Sequence, residues 1–285
     1  MSLDNTTLPL RAYHKAKRLI WNPQDLDFST DRADWQTLSP REHDLIRRAL
    51  GLFLGGEEAV TNDLAPLTIA LRREGGHLEE TMFITTQLFE EAKHVEFFAA
   101  ALDALGEPIP DRAALAGPSY TALFAELERA LSTLLTDSSR AAQATAVASY
   151  HIVIEGVLAE TGYYGIFRAL RDRGLLPGLT RGLELVQRDE ARHVAFGLHL
   201  LSRFIADNPA MRATIEAQLN VLLPLAQGVF LEILSDFMPD VPFGIDLGDL
   251  LNYASRQYMA RLSVLDRVER GEAVDIEAEL NPVAG

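Results

Sequence analysis

The chain contains no cysteine. Without a thiol it can build no disulfide, no thiolate metal site and no cysteine nucleophile, and it cannot itself generate a thiyl radical. Positive charge is also scarce: 26 Lys and Arg stand against 41 Asp and Glu, a formal net charge of −15. That balance repels phosphate backbones and anionic headgroups, which argues against nucleic-acid binding and against a polybasic membrane anchor. No segment approaches the roughly 18 uninterrupted apolar residues of a membrane span. The segment Met1 to Leu10 lacks the charged, apolar and small-residue order of a secretory signal, so a cytoplasmic protein with no membrane insertion is expected. No stretch rich in Pro, Gly or Ser interrupts the sequence, and residues 1–285 are read as a single domain. Aromatic residues make up only 8% against 48% hydrophobic residues in all, a composition suited to a core of Leu, Ala, Ile and Val between packed helices.

Sustained alternation of apolar and polar residues is missing as well, so the fold is expected to be all-α. Residues 1–38 show little periodicity. Ser39-Pro40-Arg41-Glu42 combines a capping-box spacing with Pro at the first helical position, and apolar residues at helical spacing carry a helix to about Arg73, where Gly75-Gly76 stops it. A second helix is expected over Leu78–Leu105, closed by Gly106 and Pro108, and a shorter one over Tyr120–Leu135. Long helices should follow over Ser139–Arg173 and Leu179–Ala206. Another runs from Asn208-Pro209 to about Phe237 with Pro224 inside it, and a last one spans Leu247–Val268. The acidic residues 269–285 read as a loosely held tail.

One pattern is written twice. Glu57 precedes Glu91 by 34 positions and Glu155 precedes Glu190 by 35, and the later Glu opens Glu-x-x-His each time: Glu91-Ala92-Lys93-His94 and Glu190-Ala191-Arg192-His193. Residues i and i+3 share a helical face, so each pair offers a carboxylate and an imidazole to one point. The neighbours at helical spacing are apolar: Leu88, Val95, Phe98 and Leu102 around Glu91; Leu183, Val186, Val194 and Leu201 around Glu190. Carboxylates taken into such surroundings cost several kcal/mol each, about the usual penalty for a buried ion, unless cations compensate them. A single Glu-x-x-His is more often a solvated pair than a ligand pair. Two of them, each with a Glu on the preceding helix, form the donor set of a carboxylate-bridged dinuclear centre. Glu58, Glu90, Glu96 and Glu160 fall off these faces and read as outer groups or as solvent-facing. His14, His43, His77, His151 and His199 receive no metal role, His151 being the nearest contender one turn before Glu155.

The family is narrowed by Gly56-Glu57-Glu58-Ala59-Val60, Phe89-Glu90-Glu91-Ala92-Lys93-His94, Tyr150, Thr161-Gly162-Tyr163-Tyr164 and Arg188-Asp189-Glu190-Ala191-Arg192-His193. From about Arg18 to Asp249 the chain resembles the ligand-binding oxidases related to the small subunit of class I ribonucleotide reductase. The resemblance implies a ferritin-like four-helix core and a homodimer. It implies one manganese and one iron ion, with manganese at Glu57, Glu91 and His94, iron at Glu155, Glu190 and His193, and Glu91 and Glu190 as bridges. A di-iron centre is the alternative, because both ions accept the same donors. The resemblance further implies O2-dependent two-electron oxidation of C–H bonds, a long-chain fatty acid or similar hydrophobic ligand at the metals, and an electron donor that the residues do not name. An ether cross-link is implied between the Tyr150 oxygen and the Val60 β-carbon; on spacing alone the two read as core. Asp189 resembles the carboxylate that orients a ligand imidazole, that of His94 here, or else is a surface acid. Tyr163, two turns beyond Glu155, either faces the centre or packs in the core.

Two other functions fit parts of this pattern. A radical-storing reductase subunit would carry Tyr four residues after the first ligand His, where this chain has Phe98, and a relay Tyr in its C-terminal tail, whereas no Tyr follows Tyr258. A ferritin-type ferroxidase or iron store would be shorter and would lack the helical C-terminal half.

Overall fold

The computed structural model describes residues 3–75 and 77–280, and these contain helices and loops but no strand. The capping box forms as expected: Ser39 Oγ accepts the Glu42 N–H at 3.4 Å and Glu42 Oε2 accepts the Ser39 N–H at 2.7 Å. It launches α3, Pro40–Asp63, the third helix after α1, Leu8–Arg18, and α2, Ser29–Trp35. The expected continuation to Arg73 is broken at Leu64, and α4 covers Ala65–Arg73. Pro66 is the reason, since it has no N–H to extend the ladder and fits the first turn of a new helix. α5, Leu78–Leu105, ends at Gly106, whose φ of 77° turns the chain back.

The short α6, Arg112–Leu115, and α7, Pro118–Thr133, lead to the segment read as one helix from Ser139 to Arg173. It is continuous but not uniform. Regular α8, Arg140–Val147, opens into a π-helical stretch over Ala148–Ala159, where backbone bonds reach back five residues instead of four, and tightens again into α9, Glu160–Leu170. α10, Pro177–Asp207, α11, Met211–Ser235, and α12, Leu247–Glu269, follow.

Four elements form the bundle that positions the site. α3 packs on α5, α5 on α10, and α10 on the π-helical stretch, while α11 and α12 cover that stretch from outside. α11 is long and apolar enough to cross a membrane by composition, yet it lies against α7, α12 and the π-helical stretch.

The aperiodic N-terminal residues proved to be structural braces. Asp31 of α2 is fully buried and accepts the N–H groups of Gly178 and Leu179 at 2.8 and 2.7 Å, capping α10 from a distance. The C-terminal segment carries one more short helix. Beyond Glu269 the chain forms α13, Ile276–Leu280, with Ile276 buried and Glu277 paired with Lys15 and, at 2.7 Å, with Arg11. Val274 and Leu280 pack on the same apolar cluster as Ile276, and Arg267 pairs with Glu279; residues 281–285 lie outside the described residues.

Candidate metal centre

Two of the apolar clusters follow one another along the bundle. One contains Leu54, Phe97, Phe98, Tyr163, Leu183 and Val186; the other contains Val60, Phe83, Tyr150, Val153 and Val194. On each of the four elements the chain passes between them at Glu57, Glu91 with His94, Glu155, and Glu190 with His193. All six side chains are buried, the two imidazoles completely.

Their donor atoms form two overlapping groups. Glu57, Glu91, His94 and Glu190 each offer an atom within 4.8 Å of the others, and so do Glu91, Glu155, Glu190 and His193. Glu91 and Glu190 belong to both groups. Around His94 Nδ1 stand carboxylate oxygens of Glu190 at 3.2 Å, Glu57 at 3.4 Å and Glu91 at 3.8 Å. Around His193 Nδ1 stand those of Glu91 at 2.9 Å, Glu190 at 3.2 Å and Glu155 at 3.3 Å. His94 Nδ1 and Glu155 Oε2 are buried without a hydrogen-bond partner. Unpartnered nitrogen and oxygen lone pairs facing one another in a dry layer fit divalent cations.

The far side of each imidazole is held by the acid that precedes the opposite motif's Glu. Asp189 Oδ2 lies 3.4 Å from His94 Nε2, and Glu90 Oε2 lies 2.9 Å from His193 Nε2. An Nε2–H donated to a carboxylate leaves the Nδ1 lone pair for a metal and raises its basicity. The basic residue inside each motif steadies these acids: Lys93 Nζ is 2.6 Å from Asp189, and Arg192 reaches Asp189 at 2.7 Å and also pairs with Glu90. The full five-residue units, Glu90-Glu91-Ala92-Lys93-His94 and Asp189-Glu190-Ala191-Arg192-His193, therefore brace each other reciprocally. The acid before and the base within each Glu-x-x-His, present in both units, are the sequence signal for Glu90, Lys93 and Arg192. Trp21, whose indole N–H donates to Asp189 at 2.7 Å, sits in the aperiodic N-terminal region and gives no such signal.

Electrostatics match a donor set that lacks positive charge. Burial pushes Glu57 up to about 8, only partly offset by His94. Burial, then repulsion from Glu190, lifts Glu155 well above the carboxylate range. Burial is the largest single influence on the imidazoles and opposes their charge, but the surrounding carboxylates together outweigh it, Glu57, Asp189 and Glu190 at His94 and Glu91, Glu190 and Glu155 at His193, and raise both well above the usual value. For Glu190 burial is outweighed by His193 and His94, which hold it down at about 2.

Tyr150 is fully buried and donates to Glu91 Oε1 at 2.7 Å. Gln87, missed in the sequence, donates to the same phenol at 3.2 Å and lies 3.2 Å from His151 Nε2. Burial pushes His151 down to about 3, so it stays neutral. Glu58 is exposed, Glu96 bonds Gln24 at 3.0 Å, and the buried Glu160 accepts from Gln187 at 2.9 Å. Val60 lines an apolar cavity of about 130 Å³ whose inner wall includes Glu57, Glu91, Glu155 and Glu190. Tyr163 does not line it; the ring stacks on Phe53 at 4.9 Å and its buried hydroxyl has no partner.

Known proteins resemble this chain over most of its length. Residues 9–255 match the family described as ribonucleotide reductase, small chain. A solved valine-to-isoleucine mutant of an R2-like ligand-binding oxidase, with anaerobically reconstituted Mn/Fe cofactor, is 32% identical, with 93% of this chain and 96% of that chain covered and a TM-score of 0.87. A glycine-to-phenylalanine mutant with aerobically reconstituted Mn/Fe cofactor is 31% identical, with 93% and 100% covered and a TM-score of 0.88. Buried donors on four helices, a match over most of the length and a shared fold at this identity lead to one conclusion: the chain belongs to the ribonucleotide reductase small-chain family, among its R2-like ligand-binding oxidases.

Proposed function

We propose that this chain is an O2-dependent oxidase whose six-donor layer holds manganese at Glu57, Glu91 and His94 and iron at Glu155, Glu190 and His193, with Glu91 and Glu190 shared. The observation that carries the reading is the position of that layer: two overlapping donor groups open onto the inner wall of an apolar cavity. The Mn/Fe pairing is taken from the solved relatives, and an Fe/Fe pair is the alternative. A long-chain fatty acid fits the cavity chemically, its carboxylate toward the metals and its alkyl chain along the walls. The assembly expected is a homodimer, which light scattering would distinguish from an iron-storage cage.

Held by these six donors, the two ions would supply two of the four electrons that O2 takes. The chain supplies the other two. Val60 loses a C–H hydrogen and Tyr150 its O–H hydrogen, a C–O bond joins them, and the two protons leave with the reduced oxygen. Tertiary carbon is the weaker kind of aliphatic C–H, and Val60 borders the cavity where the Glu57 carboxylate lies. Burial, then repulsion from Glu155 and Glu91, keeps the Tyr150 phenol protonated, and its hydrogen bond to Glu91 gives the proton a route out. The two apolar clusters exclude water from both groups. A radical-storing role is disfavoured by Phe98, fully buried and with no phenol to oxidise.

The test is peptide mass spectrometry of protein loaded anaerobically with Mn(II) and Fe(II), before and after O2. The expected product joins the Val60 and Tyr150 peptides and is two hydrogens lighter than their sum. Its absence from fully metallated protein after O2 would return the reductase-subunit and ferroxidase readings to the front.

A further inference from the structure

The apolar cavity has a second end. Gly165, Phe243, Ile245 and Leu250 line both the cavity and a surface depression whose other walls include Arg168, Asp172 and Arg173. Phe243 thus stands where the apolar interior meets polar, solvated groups. Its backbone is unusual there: φ is 59°, in the left-handed region that glycine enters freely and a phenylalanine only at a cost. The turn keeps a benzyl group at a position where glycine would relieve strain.

Arg173 fixes that ring in place. One guanidinium nitrogen donates to the Phe243 carbonyl at 2.8 Å, the other donates to the Arg168 and Ala169 carbonyls at 2.9 and 3.0 Å, and the charge lies 5.7 Å from the ring centroid. Ala169 belongs to the last turn of α9, whose Gly165 and Ile166 form a cavity wall. The strut therefore ties the strained turn to the element that the bound chain would run along.

We propose that Phe243 is the stop that sets how long an alkyl chain the cavity accepts. This inference rests on the fatty-acid reading above. Each methylene taken from water is worth roughly fourfold in affinity. Lengthening a ligand gains by that factor until its end meets the Phe243 ring; beyond it lie Arg168, Asp172 and Arg173, against which further methylenes gain nothing.

The experiment compares wild type, Phe243→Gly and Phe243→Trp as full chains, measuring metal content, melting temperature and, by mass spectrometry, the chain lengths of extracted lipid. Phe243→Gly should still fold, since relief of its backbone strain offsets part of the packing lost with the ring, and should carry chains longer by about four carbons, the reach of a lost benzyl group. Phe243→Trp should carry shorter ones. Identical length distributions in all three proteins, with metals retained, would overturn the role of Phe243 while leaving the ligand reading intact. Metal-loaded wild type that yields no lipid in the extract or after incubation with C10–C18 fatty acids would remove the ligand reading, and this assignment with it.

Discussion

At the scale of single residues, Glu91 and Glu190 differ from the other four donors because each serves both groups. Glu91→Ala is expected to lose both ions, and elemental analysis giving two metals per chain would contradict the assignment. Asp189→Asn should act on one side, lowering affinity at the His94 end by about 10–100-fold through loss of the imidazole's orienting acid, as read by competition with a chelator. The donors were legible because i and i+3 spacing on an apolar face leaves few other uses for a carboxylate and an imidazole. Their braces were legible only in part. Asp189 stood out by resemblance, and Glu90 was left between an outer role and solvent because one helix alone does not reveal what lies opposite it. Trp21 and Gln87 touch the centre from segments whose approach depends on tertiary packing.

At the scale of elements, the starts and stops written in the sequence were followed closely where capping chemistry is local, as at Ser39 and Gly106. Where the decision depends on remote partners, sequence was silent: α2 exists to cap α10 through Asp31, and nothing near Asp31 announces that. Asp31→Ala should cost about 0.5–2 kcal/mol in urea unfolding, the range for losing an N-terminal cap. A change smaller than 0.5 kcal/mol, about the lower edge of that range, would mean that α10 starts unaided. Gly182 marks a close approach of α10 to α5, since an added Cβ would fall 1.9 Å from the Phe97 ring. Gly182→Ala should therefore destabilise by about 1–3 kcal/mol despite the better helix propensity of Ala. Thermal unfolding at or above wild type would show that the ring has room to move.

At the scale of the molecule, the buried donor layer couples stability to pH and to metal. Glu57, with its pKa near 8, and Glu155, His94 and His193, all raised, bind protons in the folded chain that the unfolded chain has released. Their contribution is present at low pH and is lost as pH rises through the folded values. Glu190 and Asp189 have the opposite sign: both are held low, so their contribution is present above about pH 4 and disappears in acid. Metal-free protein should accordingly melt at lower temperature at pH 8.5 than at pH 6, about the span from the unperturbed His range to the raised Glu57 value. Metal loading should displace those protons and flatten the slope. Melting curves with parallel pH dependence, with and without chelator, would contradict this coupling.

The π-helical stretch gives the molecule a broken symmetry. Two donor sets of the same chemical composition hang on unequal scaffolds, Glu57 on a regular helix and Glu155 on one wound more widely. Identical ligands mounted at different pitch hold their oxygens at different angles and with different compliance. The two halves of the layer are then alike in chemistry and unequal in geometry, a difference set by the backbone rather than by the choice of side chains.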